Sequence, residues 1–122
     1  MTVVLTVLAG AVGAVARFVV DAEMKSRWKS TVPWATIGIN VSGSFVLGVL
    51  AGVAMFHAAA PAWQTVLGTG FCGGYTTFST ASFESVRLVQ QREHSAAAIN
   101  IVLTLGASLV SCAAGLFAAS AL

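Results

Sequence analysis

Four apolar runs, each about long enough to cross a bilayer, take up nearly the whole of this chain, and they limit its fold more than any other feature. A helix needs roughly 20 apolar residues to span the hydrocarbon core. The runs are 3–20, 33–56, 63–89 and 96–122, and the connections between them are the short stretches 21–30, 57–61 and 90–95. The expected fold is an all-α membrane protein of four transmembrane helices, in one domain over 1–122. Of the 122 residues 8% are charged and 57% hydrophobic, whereas a soluble domain carries about 25% charged residues. Lipid is therefore the main solvent of this surface. Short connections force neighbouring helices to run antiparallel, so the N-terminus, the second connection and the C-terminus share one side of the membrane. Pro33 opens the second run, where a helix start tolerates it. Trp28, Trp34 and Trp63 fall near span ends, the level at which amphipathic rings settle. No basic segment precedes the first run, so it reads as a membrane helix and not as a cleaved signal.

Several function classes drop out. The formal net charge is +2, with no basic stripe of the kind that binds nucleic acid. The two cysteines, Cys72 and Cys112, stand alone inside apolar runs and read as small packing residues, with no metal-ligand spacing or disulfide framework. No acid–base pair, nucleophile–histidine pair or phosphate loop is visible, so the chain does not read as an enzyme. His57 and His94 fall in connections and are expected to be solvated. Glu84 is expected to pair with Arg87 across one helical turn.

Polar groups inside hydrocarbon must find a partner or line a wet cavity, and four features need such a reason. Asn40 lies about two turns into the second run. It reads either as an interhelical hydrogen bond or as an amide donor facing an anion. The stretch Gly70-Phe71-Cys72-Gly73-Gly74-Tyr75-Thr76-Thr77-Phe78-Ser79-Thr80 occupies the middle of the third run. Paired glycines are poor helix formers, and threonines compete for backbone hydrogen bonds. A break here would free carbonyls on one side, suited to a cation, and N–H groups on the other, suited to an anion. A kink plugged by threonine hydroxyls is the plainer account. On the last run Asn100, Thr104, Ser108 and Cys112 recur at steps of four, with Ser111 beside them. That step puts them on one helix face, as an uncharged rail for an anion or as ordinary glue between helices. Arg17, near the end of the first run, either snorkels to the interface or concentrates anions at a pore mouth. Separately, Ser44, Gly48 and Gly52 form a small-residue ladder that lets backbones approach.

Together these residues resemble a known family. Gly10-Ala11-x-Gly13-Ala14-x-x-Arg17-Phe18, Pro33-x-x-Thr36-x-x-x-Asn40 and above all Gly73-Gly74-x-Thr76-Thr77-Phe78-Ser79-Thr80, with Glu84 four residues on, are similar to the Fluc (CrcB-type) fluoride channels. The resemblance runs the length of the chain. It implies an antiparallel dimer of four-helix subunits in the cell membrane, with two narrow pores and a broken third helix, that passes fluoride out of the cytoplasm. It also implies a structural, untransported sodium ion held by backbone carbonyls of Gly73 and Thr76 from each subunit. The implied pore residues are Asn40, Thr77, Phe78, Ser79, Thr80 and the rail Asn100, Thr104, Ser108 and Cys112, with Arg17 at the vestibule. Aromatic ring edges carry partial positive charge, which suits Phe78 to a small anion.

The chain departs from the family pattern in two ways. Where the family reads Phe-Ser-Thr-Phe, this chain has Ala81 in place of the second phenylalanine. Phe83 is two residues away, about 200° around a helix, and cannot substitute. Second, all six basic residues lie at one side, in or beside the first and third connections, which predicts a single orientation with both termini outside. Both departures leave open whether the dimer is built from identical chains or needs a related partner. Two rivals are a small four-helix multidrug exporter, which would need a carboxylate in the first span that is absent here, and a non-conducting subunit of a larger assembly.

Overall fold

The computed structural model describes residues 1–58 and 60–122. The expected connection 57–61 contains Ala59, which lies outside the described residues. The chain is all-helical. Helix α1 covers Thr2–Arg27 and α2 covers Trp34–Phe56. The rod α3 begins as Pro61–Gln64, widens into π-helical turns over Thr65–Cys72 and ends as Gly73–Tyr75. Helix α4 covers Phe78–Gln90. Helix α5 runs over His94–Ser120, with a π-helical stretch at Leu103–Ala107. Three of these, α1, α2 and α5, are long and apolar enough to cross a membrane.

The third run behaves differently. Its helix stops at Tyr75, and Thr76 (φ −78°, ψ 159°) and Thr77 (φ −146°, ψ 121°) are extended before α4 begins. Two adjacent β-branched residues with hydroxyls that can replace backbone partners favour a stop here. Thr76 Oγ1 donates back to the Cys72 carbonyl at 2.8 Å, and the Thr77 hydroxyl accepts from Thr80 N–H at 3.1 Å as the cap of α4.

The first connection is shorter than expected, because α1 continues through Asp21, Glu23, Lys25 and Arg27. Acid–base pairs one turn apart carry it: Asp21–Lys25 at 3.1 Å and Glu23–Arg27 at 3.5 Å. At the far side of the same end, α4 closes with Arg92 in the left-handed region (φ 61°). There Glu93 N–H reaches back to the Leu88 carbonyl at 2.8 Å.

Packing rests on glycine. A Cβ on Gly48 would collide with the Cys112 carbonyl, and one on Gly115 with the Phe45 carbonyl, so α2 and α5 meet backbone to backbone. The same holds between α1 and α3, where Gly13 abuts the Phe71 carbonyl and Gly74 the Gly10 carbonyl. In lipid such close approach supplies the van der Waals cohesion that the hydrophobic effect supplies in water. The expected ladder is realised at Gly48 and Gly52, while Ser44, one turn before Gly48, lines a groove beside the seam. Outward faces carry exposed apolar side chains, among them Val12, Val15 and Phe18 of α1 and Leu109, Val110 and Phe117 of α5.

Candidate functional site

A groove of ≈ 870 Å³ runs between α2, the break and α5. Nine of the sequence-expected site residues line it: Asn40, Gly73, Thr76, Thr77, Phe78, Asn100, Thr104, Ser108 and Cys112. Ser79, Thr80 and Arg17 are not among its lining residues. Ser79 and Thr80 sit in the first turn of α4, where Thr80 N–H is spent on the Thr77 cap. Arg17 is half-buried on α1, and its Nε is enclosed without a hydrogen-bond partner among the described residues.

Asn40 holds the break open. Its Nδ2 donates to the Thr77 carbonyl at 2.9 Å, and its Oδ1 accepts Thr77 N–H at 2.7 Å. Of the two readings the sequence allows, the interhelical bond is the one in place. One Nδ2 hydrogen remains uncommitted, because an amide carries two. This clamp has a consequence for the carbonyls. In a continuous helix Thr77 N–H would bond the Gly73 carbonyl and Thr80 N–H the Thr76 carbonyl. Both donors are diverted, one to Asn40 and one to the Thr77 hydroxyl. The carbonyls of Gly73, Gly74, Tyr75 and Thr76 all lose their helical partners at the break, those of Gly73 and Thr76 through these two diversions. Space is open beside Gly73, where an added Cβ would meet nothing within 4 Å. These features fit a small monovalent cation held by main-chain oxygens. Among the described residues no group of three or more His, Cys, Asp or Glu side chains could hold a metal.

The rail on α5 is tied to α4. Asn100 is fully buried, and its Nδ2 donates to Ser85 Oγ at 2.8 Å and to the Ala81 carbonyl at 3.3 Å. Its Oδ1 accepts from Thr104 Oγ1 at 3.3 Å. Further along, Ser108 Oγ is buried with no partner among the described residues. Ser111 faces away from the groove and donates to the Val41 carbonyl at 2.8 Å. Phe78 stands 88% exposed at the groove, whereas Ala81 is 7% exposed beneath it.

Sequence reasoning missed Ser82 and Ser85, which also line the groove. The available signal was Ser85 one turn after Ala81 on α4. One expectation needs correction. Glu84 does not pair with Arg87: it is 4% exposed and accepts a hydrogen bond from Thr36 Oγ1. Thr36 and Glu84 are far apart in sequence, so only the packing of α2 against α4 reveals the pair. His57 is exposed, as expected, and its Nε2 also bonds the Ala119 carbonyl at 2.9 Å, tying the end of α2 to the end of α5.

Long apolar helices, glycine-packed seams and an uncharged, mostly apolar groove that carries amide and hydroxyl groups beside an interrupted helix define a multi-pass membrane protein of the channel-like kind. The model of the CrcB-like protein, Camphor Resistance (CrcB) family matches residues 4–116. The chain belongs to that family. It is 50% identical to a protein of Leifsonia xyli subsp. xyli named fluoride-specific ion channel FluC 1, over 88% of this chain and 82% of that one. It is 43% identical to a Streptomyces avermitilis protein of the same name, over 97% and 96%. A Bifidobacterium longum relative named fluoride-specific ion channel FluC 3 is 38% identical, over 92% and 93%.

Proposed function

We propose that this protein is a passive fluoride channel of the plasma membrane that lets the anion leave the cytoplasm, and that it has no enzymatic activity. Hydrogen fluoride crosses lipid as a neutral acid and dissociates at cytoplasmic pH, trapping the anion. A pore returns it down a membrane potential worth about 2.3 kcal/mol per charge per 100 mV. The observation that carries this reading is the chemistry of the groove: an apolar wall with amide and hydroxyl groups and no charged side chain, running from Asn40 and Thr77 to the Ser108 hydroxyl, which has no partner among the described residues. Such groups can replace an anion's water a few partners at a time without trapping it. The family match and the names of the relatives support the choice of fluoride.

On this reading the stretch 61–90 is one broken membrane helix, and two subunits pack antiparallel with their grooves along the interface. The Gly73 and Thr76 carbonyls of each subunit surround a structural sodium ion. Because main-chain oxygens do the holding, Thr76→Ser is expected to keep the site. The pore also uses Phe78, Ser79 and Thr80, with Arg17 at the vestibule. The test is fluoride efflux from liposomes with a fluoride electrode, on wild type and on Asn40→Leu. Efflux from wild type that Asn40→Leu abolishes is expected. Wild-type liposomes that hold their fluoride, alone and with a related subunit, would overturn the reading.

A second reading, that this chain works with a related but different subunit, is favoured by Ala81 and by charge. All six basic and four acidic residues lie at one end of the bundle or close to it, so identical chains would insert alike, whereas an antiparallel dimer needs opposite insertion. A partner carrying the missing phenylalanine would complete one pore with Phe78. Silence from this chain alone, with flux on co-expression, is the outcome this reading expects; full flux from the single purified species refutes it.

A further inference from the structure

At the charged end of the bundle a second pocket, ≈ 270 Å³ in volume, opens between the last turn of α1, the connection into α2 and the end of α4. Lys25, Lys29 and Arg87 line it together with Trp28 and Trp34, and Glu84 lies at its floor. The cations are not equivalent. Lys25 is held by Asp21 at 3.1 Å, whereas Lys29 and Arg87 form no ion pair among the described residues. Trp28 is 64% and Trp34 43% exposed, as expected for rings that sit at the headgroup level of a membrane. The floor carboxylate of Glu84 is 4% exposed and already accepts the Thr36 hydroxyl proton. It repels an anion from the depth of the pocket, so the favourable place for negative charge is the mouth, beside Lys29 and Arg87.

We infer that this pocket binds the phosphate of an anionic glycerophospholipid, with Lys29 and Arg87 on the phosphate oxygens and the two tryptophans against the glycerol and upper acyl chains. Two free cations and two interfacial aromatic rings in one concave site match a group that is charged at one end and apolar at the other. A free phosphate would use the cations and leave the rings without a role. Basic pockets at helix ends are suited to anionic headgroups, each cation near the surface contributing attraction. The inference rests on the membrane-spanning reading alone and stands apart from fluoride conduction.

The test is native mass spectrometry of the full chain in detergent, incubated with equal amounts of phosphatidylglycerol and phosphatidylcholine. Phosphatidylglycerol adducts should survive where phosphatidylcholine is lost. Lys29→Gln and Arg87→Gln should each lower their retention about fivefold. Arg92→Asn, at the same end but outside the pocket, should leave it unchanged. Equal retention of both lipids, undiminished adducts in the double Lys29→Gln/Arg87→Gln variant, or displacement by inorganic phosphate would each overturn the inference. If the double variant does not fold, thermal unfolding of the wild type decides: phosphatidylglycerol must raise its Tm over phosphatidylcholine, and equal values refute the site.

Discussion

The seam between α2 and α5 and the groove beside it share these two helices, yet they use them in opposite ways. Along the seam, Gly48 meets the Cys112 carbonyl and Gly115 meets the Phe45 carbonyl, and no side chain stands between. Along the groove, Asn40, Asn100, Thr104 and Ser108 bring amide and hydroxyl groups to its lining, Asn40, Asn100 and the Ser108 hydroxyl being buried there. Some of these atoms are committed, as in the Asn40 clamp on Thr77, and one, Ser108 Oγ, has no partner among the described residues. The seam gains cohesion by excluding everything, and the groove keeps the capacity to bond something that is not protein. A small residue in a membrane helix therefore has no fixed meaning until its facing atom is known.

The sharpest way to break this contrast is to fill the seam. Gly48→Leu forces a side chain into the Cys112 backbone and is expected to cost about 3 kcal/mol or more, given the usual cost of overpacking. Loss of the monodisperse peak in size-exclusion chromatography checks it. Gly106→Ala, where a Cβ meets nothing within 4 Å, should leave that peak intact. A folded Gly48→Leu protein would show that the seam yields.

Asn40→Leu comes next. It leaves both the N–H and the carbonyl of Thr77 without their partners, at about 1–3 kcal/mol for each buried group. Fluoride efflux should vanish and thermal stability should fall, while some folded protein survives. Asn40→Asp keeps the acceptor for Thr77 N–H and loses the donor, so its stability should lie between the two.

Thr36→Val tests the pair that sequence reasoning did not find. It removes the hydroxyl that serves the buried Glu84 carboxylate, and a hydrogen bond to a charged group contributes about 1.5–3 kcal/mol. Thr36→Ser should restore most of the loss in a thermal melt. Equal Tm values for Thr36→Val and wild type would remove the bond from the account of stability.

The smallest stability effect is expected at Ser108. Its buried hydroxyl has no partner among the described residues, so Ser108→Ala should change Tm little or raise it slightly. Fluoride efflux should nevertheless slow. A variant with unchanged flux would assign Ser108 to packing and shorten the candidate pathway.

The apolar runs alone set the class of fold, because a backbone in hydrocarbon must bond within itself and helices are the simplest way to do so. They also gave the ends of α2 and α5 to within about two residues. The end of α1 was less legible, since Asp21, Glu23, Lys25 and Arg27 look like a connection by polarity and act as helix by pairing one turn apart. The step of four on the last run placed Asn100, Thr104, Ser108 and Cys112 on one face, and that face does line the groove. The glycine–threonine stretch marked where a helix would struggle to continue.

What the sequence could not supply is which partner each polar group takes, because that depends on residues far apart in the chain. Asn40 is committed to Thr77, Asn100 to Ser85 and the Ala81 carbonyl, Thr36 to Glu84 and His57 to the Ala119 carbonyl. Each pairing is settled by how closely two helices approach, and glycine seams set that distance. Helix formation is a local matter of apolar length and hydrogen bonds four residues apart. The choice between a spent polar group and a free one is decided only when the helices pack.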